Sequence, residues 1–136
     1  MRVFLDTNVL VSAFASRGLC AEVLELVLLD HDLILGRNVL RELDKALREK
    51  VKLPVVRSIE IIEFVSSEAT QIVDKAEPAN VNVDAADARV LGEALAGEAE
   101  PFVTGDAALL RIAAVGVLKI VSPRQFWEIL RMGSEL

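Results

Sequence analysis

Four carboxylate residues occupy positions from which one acidic pocket can form. Asp6 directly follows the apolar segment "VFL", and Asp106 follows the segment "FVT" across a single glycine. Both segments are predicted strands, and sites in parallel α/β sheets form beyond the carboxyl ends of the strands. Asp87 falls on the apolar face of one helical pattern, and Glu42 falls on the border between the apolar and charged faces of another. The four side chains can therefore converge at one edge of a sheet.

A set of oxygen ligands of this kind has a definite chemical use. Like charges held close together cannot all stay ionised without a counter-charge, and oxygen ligands select hard divalent cations such as Mg²⁺ or Mn²⁺. The chain has one cysteine and one histidine, which are too few for the common zinc sites. It also has no glycine-rich phosphate loop and no nucleophile-elbow motif. The residues therefore favour a site for Mg or Mn.

Each carboxylate also has a simpler structural interpretation. Asp84 and Asp106 precede predicted helices, where aspartate is a favoured N-cap that stabilises by about 1 kcal/mol. Asp87 in a first helical turn suits the helix dipole, and Glu42 could lie on a solvated helix face. Only the convergence of all four residues favours a site over these interpretations. For Asp84, a helix cap and a supporting position in the site both stay open.

Short apolar segments alternate with helical patterns along the chain. Strands are predicted over 2–5, 32–36, 70–74, 101–104 and 117–121. Helices are predicted from about 7, over 21–29 and 37–50, from Pro54, over 85–97, from about 106 and after Pro123. Short strands alternating with helices are typical of a parallel sheet covered on both faces. The predicted fold class is α/β, a three-layer α/β/α arrangement with a central parallel sheet of about five strands.

Length and hydropathy limit the class of protein. At 136 residues the chain is expected to form one domain, 1–136. No apolar run approaches the roughly 18 residues of a membrane helix, and no signal peptide is apparent. We therefore expect a cytoplasmic protein. Hydrophobic residues make up 53% of the chain, above the roughly 45–50% of an average domain, and with the segment "SPRQFWEILRM" this surplus predicts a homodimer.

The charge is distributed unevenly. A formal net charge of −6 argues against a protein that coats nucleic acid non-specifically, but it does not exclude a nuclease, because a carboxylate site is itself acidic. The segment 37–57 carries a local charge of +4. Its cations include four that lie opposite an apolar helix face, where they form either a solvated surface or a track for an RNA backbone: Arg37, Arg41, Lys45 and Arg48.

Four motifs resemble those of a known family. "FLDTNVLVSAF", "VLRELDKAL", "DAADARVLGEAL" and "FVTGDAALL" occur in the order and spacing of the PIN domain, named after the PilT N-terminus. The chain is most similar to the small prokaryotic toxins of toxin–antitoxin pairs of the virulence-associated protein C type. The resemblance covers essentially the whole chain. Each motif alone is weak, whereas the four together are specific.

The resemblance implies a PIN-like endoribonuclease that uses Mg²⁺ or Mn²⁺ and has a cognate antitoxin protein as its partner. The family's acidic quartet matches, position by position, the catalytic and metal-binding candidates Asp6, Glu42, Asp87 and Asp106. Polar positions that support this quartet match Asn8, Ser12 and Thr104. Thr7 and Asn8 are then expected to orient Asp6 or its water.

Two other classes of function stay open. An aspartate after the first strand also occurs in phosphohydrolases that use it as a nucleophile, and in receiver domains that have a lysine at a late strand end. Lys119 falls inside the predicted strand 117–121, which weakens the receiver interpretation. A non-catalytic PIN scaffold that binds RNA or protein is the other alternative. Trapping an acyl-phosphate would identify the phosphohydrolase class.

Overall fold

The computed structural model describes residues 1–133, so the last three residues of the predicted domain 1–136 lie outside the described part. The strands are β1 (Arg2–Leu5), β2 (Asp32–Gly36), β3 (Gln71–Val73), β4 (Pro101–Val103), β5 (Ala114–Val115) and β6 (Leu118–Val121). The helices are α1 (Thr7–Ala15), α2 (Leu19–Asp30), α3 (Arg37–Glu49), α4 (Val55–Glu68), α5 (Ala85–Ala96), α6 (Ala107–Ile112) and α7 (Pro123–Arg131). Within residues 1–133, no helix is long and apolar enough to cross a membrane.

The strands form one sheet in the order β3-β2-β1-β4-β6-β5. The first five strands in this order run parallel, and only β5 is antiparallel to its neighbour β6. The predicted α/β fold class with a central parallel sheet is confirmed. The sheet has six strands rather than about five because a short hairpin, which turns at Gly116 with φ of 59°, adds β5 at one edge.

Strand β1 lies at the point where the sheet reverses its order. Strands β2 and β3 extend to one side of β1, whereas β4 and β6 extend to the other. Phe4 of β1 and Phe102 of β4 are fully buried and stack with ring centroids 5.3 Å apart. Their neighbours Leu5 and Val103 are paired at the carboxyl ends of the two strands. A crevice beyond such a pair of strand ends is the usual place for a site in an open α/β sheet.

The helices that border this crevice follow from their hydrophobic patterns. Helix α3 is strongly amphipathic: Val39, Leu43 and Leu47 are buried, whereas Arg41 is exposed. It packs against α1, α4 and α5, and Glu42 on its polar border contacts Thr7 of α1. Half of the residues of helix α5 are buried, most of them over 90–94, and the helix packs against β2, β3 and α3.

Candidate active site

Asp6 is a buried carboxylate held in one orientation at the end of β1. Its side chain is 8% exposed. Oδ1 accepts a hydrogen bond of 2.8 Å from the Thr7 backbone N–H, and Oδ2 accepts bonds from Thr104 Oγ1 at 2.8 Å and Asn8 Nδ2 at 3.1 Å. Burial raises the pKa of Asp6, while these three hydrogen bonds favour the charged form and offset part of the rise. The result is a preorganised anion at the edge of the sheet.

Thr104 and Asn8 connect the ends of β1 and β4. The fully buried Thr104 hydroxyl also accepts hydrogen bonds from Asn8 Nδ2 at 3.2 Å and from the Asp106 backbone N–H at 3.0 Å. Gly105 donates its N–H to Asn8 Oδ1 at 2.8 Å. A Cβ at Gly105 would come within 3.3 Å of that oxygen, so the glycine permits the close approach. This network fixes Asp6 and Asp106 relative to each other.

Glu42 enters the same region from α3. Its Oε2 accepts a hydrogen bond of 2.8 Å from the Thr7 hydroxyl, which lies in the first turn of α1. Thr7 therefore contributes in two ways, with its backbone N–H to Asp6 and its hydroxyl to Glu42. The adjacency of Thr7 to Asp6 predicts the first contact. The second brings together residues 35 positions apart and needs the folded structure.

Asp84, Asp87 and Asp106 differ in their local contacts. Asp84 is the N-cap of α5 and accepts the Asp87 backbone N–H at 2.8 Å. Asp106 is the N-cap of α6 and accepts the Ala108 backbone N–H at 2.8 Å. The pKa of Asp87 is raised to about 6, first by burial and then by the negative charges of Asp84, Asp106, Asp6 and Glu42. The carboxylates are therefore close enough to repel one another.

An open cleft of about 540 Å³ collects these side chains. Its lining includes all four candidate catalytic residues and two of the supporting ones: Asp6, Glu42, Asp87, Asp106, Asn8 and Ser12. Thr104 and Asp84 do not line the cleft: the buried Thr104 holds Asp6 by a hydrogen bond, and the exposed Asp84 caps α5.

The four cations proposed to bind substrate do not lie together. Lys45 lines the cleft, and so does Lys50, which was not among the four cations predicted from the sequence. Arg37 and Arg41 line a separate groove between α3 and α4. Arg48 forms an ion pair of 2.9 Å with Asp44. Their contact with RNA stays a prediction, and only Lys45 among the four borders the acidic cleft.

The donor set fits a hard divalent cation. The cleft presents carboxylate, amide and hydroxyl oxygens. Burial and then the neighbouring carboxylates raise the pKa of Asp87, and a bound cation would relieve the repulsion among these carboxylates. Among residues 1–133, no three acidic, histidine or cysteine side chains are already arranged to hold one ion. The fit therefore rests on the chemistry and convergence of the donors.

Lys119 lies far from the cleft along the sheet. It is an exposed residue of β6 and pairs with Pro101, the first residue of β4, whereas Val121 pairs with Val103 at the carboxyl end. A receiver domain needs its lysine beside the phospho-accepting aspartate. The position of Lys119 therefore does not support that interpretation of Asp6.

One buried residue near the site is absent from the sequence-based candidates. Glu93 of α5 is 2% exposed, and its Oε2 accepts hydrogen bonds from the backbone and side chain of Asn38 in α3. The helical pattern of residues 85–97 predicts one apolar stripe that excludes position 93. Helix α5 is instead buried on most sides, so this pattern gives no signal for Glu93.

Comparisons with known proteins agree with this architecture. A family model described as the PIN domain matches residues 2–108, which include all four candidate catalytic residues. No curated protein sequence matches the chain significantly.

Two solved structures share the fold. The first is VapBC2 from Rickettsia felis bound to a DNA fragment from the VapBC2 promoter. Its matching chain is 18% identical in sequence to this protein, with a TM-score of 0.66, and the match covers 90% of this chain and 98% of that one. VapBC-1 from nontypeable Haemophilus influenzae is 18% identical with a TM-score of 0.65, over 91% and 99%. The resemblance to the PIN domain is confirmed by the family match and by this shared fold. The chain belongs to the PIN domain family.

Proposed function

We propose that this protein is an endoribonuclease that depends on Mg²⁺ or Mn²⁺ and acts as the toxin of a toxin–antitoxin pair. The convergence of four carboxylates from different elements on one open cleft carries the proposal. Membership of the PIN domain family and the fold shared with the two VapBC proteins support it.

In this proposal the residues divide into ligands and groups that hold the ligands. Asp6 and Asp106 would bind the cation, and Glu42 and Asp87 would bind it directly, through water, or with a second ion. The cation supplies positive charge that polarises the scissile phosphate and makes water a better nucleophile near neutral pH. Thr104 and Asn8 favour the ionised form of Asp6 by donating hydrogen bonds to it, whereas Thr7 orients Glu42.

Cleavage of RNA by the purified protein tests this function. We expect single-stranded RNAs to be cut in Mn²⁺ or Mg²⁺ and to stay intact in EDTA. Asp6→Asn should abolish cleavage, because it weakens a metal ligand but keeps the side chain's size. Glu25→Gln, which removes an exposed carboxylate from α2 outside the cleft, should cleave as wild type does.

Two results would replace the proposal. Varied RNAs that stay intact, together with hydrolysis of a phosphomonoester through a trapped acyl-phosphate, would identify an Asp-based phosphohydrolase. RNAs that stay intact although the protein binds RNA or a protein partner would identify a non-catalytic PIN scaffold.

We further propose a homodimer and a cognate antitoxin protein that covers the cleft. In the segment "SPRQFWEILRM", Phe126 is buried in the core, whereas Met132 is 76% exposed. Exposed apolar side chains on α2 and α4 support a contact surface there as well: Leu29, Val55, Val56 and Phe64. Light scattering of the isolated protein tests the dimer. Co-expression with the neighbouring open reading frame tests the antitoxin, which should bind and suppress RNA cleavage.

A further inference from the structure

The start of α3 lacks a capping side chain of its own. Its N-cap is Gly36, which makes no side-chain hydrogen bond to the first turn. By contrast, α1, α5, α6 and α7 each begin with a side-chain cap, from Asp6, Asp84, Asp106 and Ser122. Free N–H groups at a helix start need a partner when water cannot reach them. The partner at α3 comes from a different helix.

Glu93 of α5 supplies this missing cap. Its Oε2 accepts the Asn38 backbone N–H at 3.0 Å and the Asn38 side-chain Nδ2 at 3.2 Å. A carboxylate at a helix N-terminus also interacts favourably with the helix dipole. A 2% exposed carboxylate is costly to bury, and Oε1 has no hydrogen-bond partner among residues 1–133, so these contacts offset only part of the cost. A carboxylate buried at such cost calls for a role that an apolar residue could not fill.

The glycine at position 36 is explained by the same carboxylate. Gly36 has φ of −129° and ψ of 161°, an extended conformation that any residue can adopt. A Cβ at this position would lie 2.2 Å from Cδ and from Oε1 of Glu93. Space for the Glu93 carboxylate, rather than backbone freedom, therefore requires a glycine here. Gly36 and Glu93 form a matched pair.

The contact joins the two helices that bring Glu42 and Asp87 to the cleft. Asn38 and Glu42 are four residues apart on α3 and therefore lie on the same face, about one turn from each other. Asp87 lies six residues before Glu93 on α5, about 9 Å along the helix axis. The carboxylate of Glu93 thus fixes α3 against α5 one turn from Glu42.

We propose that Glu93 is a positioning residue, which caps α3 across the helix interface and thereby places Glu42 opposite Asp6 and Asp87. This inference rests on the proposed function, because a metal site is what the placement serves. Glu93 does not line the cleft and acts only through α3. A neutral cap supplied by α3 itself should therefore replace it.

The test compares wild type with Glu93→Ala, Gly36→Ser and the double variant. Calorimetric titration with Mn²⁺ measures metal affinity, and the nuclear Overhauser effect between the Thr7 methyl and the Glu42 side chain measures placement without metal. Glu93→Ala should weaken Mn²⁺ binding by about tenfold, the lower end of the effect of removing groups that support metal ligands. It should also weaken the Thr7–Glu42 signal. Gly36→Ser alone should do the same, because its Cβ displaces the carboxylate.

The double variant is the decisive one. With Glu93 shortened to alanine, a serine at position 36 has room to cap α3 itself, since serine is a favoured N-cap. We expect the Mn²⁺ affinity to return to within about threefold of wild type and the Thr7–Glu42 signal to reappear. Glu93→Gln, which keeps an oxygen acceptor for the Asn38 N–H, should bind Mn²⁺ nearly as well as wild type. If Glu93→Ala does not fold, the weakened Mn²⁺ binding expected of Gly36→Ser tests the inference in its place, and wild-type binding by Gly36→Ser would overturn it.

A matched control separates positioning from general loss of stability. Val27→Ala removes fully buried volume from α2, which carries none of the candidate site residues, and should lower the melting temperature without changing Mn²⁺ affinity. The inference is overturned if Glu93→Ala keeps wild-type affinity and signal, if Val27→Ala weakens binding equally, or if the double variant is not restored. A wild type that binds no Mn²⁺, but whose Thr7–Glu42 signal follows this pattern, would reject the metal-dependent function and leave the positioning of Glu42 standing.

Discussion

Replacing Asp87 by asparagine tests the acidic cleft, because helix stabilisation and charge repulsion predict opposite effects. The N-cap of α5 is Asp84, so the substitution removes no capping hydrogen bond. If Asp87 only interacts with the helix dipole, its loss destabilises the protein by about 0.3–1 kcal/mol. If Asp87 is repelled by the other carboxylates in the cleft, removing its charge stabilises the metal-free protein.

The magnitude follows from the pKa of Asp87. A pKa of about 6, against 3.8 for an unperturbed aspartate, corresponds to about 3 kcal/mol of added cost for ionising Asp87 in the folded state, first from its burial and then from the neighbouring carboxylates. Water in the open cleft screens these charges, which lowers the effect to roughly 1–2 kcal/mol. After the lost dipole interaction, a gain of about 1 kcal/mol remains, equivalent to a rise of about 4 °C in melting temperature for a domain of this size.

Thermal unfolding in EDTA at neutral pH measures this gain. We expect Asp87→Asn to melt about 4 °C above wild type. Glu25→Gln, which removes one exposed charge outside the cleft, should stay within about 1 °C and controls for the change in net charge. With added Mn²⁺, wild type should melt above Asp87→Asn. If the variant binds Mn²⁺ tenfold more weakly, it loses about 1.4 kcal/mol of the stabilisation that saturating metal gives to wild type. The acidic cleft would be refuted if Asp87→Asn melts at or below the wild-type temperature in EDTA and gains as much stability from Mn²⁺ as wild type does.

Three further predictions address pH, the buried threonine and the cations. In EDTA, the stability gain of Asp87→Asn should vanish below about pH 4 and be complete above about pH 6.5. The reason is that the folded wild type keeps the Asp87 proton up to a pKa of about 6, whereas the unfolded chain releases it near 3.8. Urea unfolding of both proteins across pH measures this difference. Thr104→Val should destabilise by about 2 kcal/mol in chemical denaturation, since it leaves buried groups without partners, whereas the exposed Thr70→Val should change stability by less than about 0.5 kcal/mol. In an Asp6→Asn background that prevents cleavage, Lys45→Ala should lower the slope of log RNA affinity against log salt concentration by about 0.7, as measured by fluorescence anisotropy. Arg48→Ala should lower this slope less, because Asp44 already neutralises Arg48.

The elements that the sequence predicts well are those with a strong local pattern. Segments "RVFL" and "DLILG" form β1 and β2 with the predicted bounds. Short apolar runs of this kind, each followed directly by a helix, are typical of buried strands. Strand β5 has only two residues, too few for any period, and it exists because Gly116 allows the turn that pairs it with β6. Strand pairing of this kind depends on partners elsewhere in the chain.

The same distinction applies to the site. Asp6 and Asp106 were predicted from their places at strand ends, which local sequence defines. The contacts that hold the site join distant segments: Thr7 with Glu42, Thr104 with Asp6, and Glu93 with Asn38. Glu93 lies on a helix buried on several sides, where the one-face pattern of a surface helix does not apply. No local property of the sequence indicates which buried polar residue finds which partner.

Helix caps and candidate metal ligands coincide in this fold for a geometric reason. A residue that follows a parallel strand and precedes a helix is both at the carboxyl edge of the sheet and at the helix N-cap, and Asp6 and Asp106 occupy such positions. Asparagine or serine would cap these helices about as well without adding negative charge. Asp87 and Glu42 cap no helix, yet they add two more charges to the same cleft. Capping therefore explains a polar residue at two of these positions but not a carboxylate at all four, whereas a divalent cation bound in the cleft, as we propose, would offset the repulsion among the four.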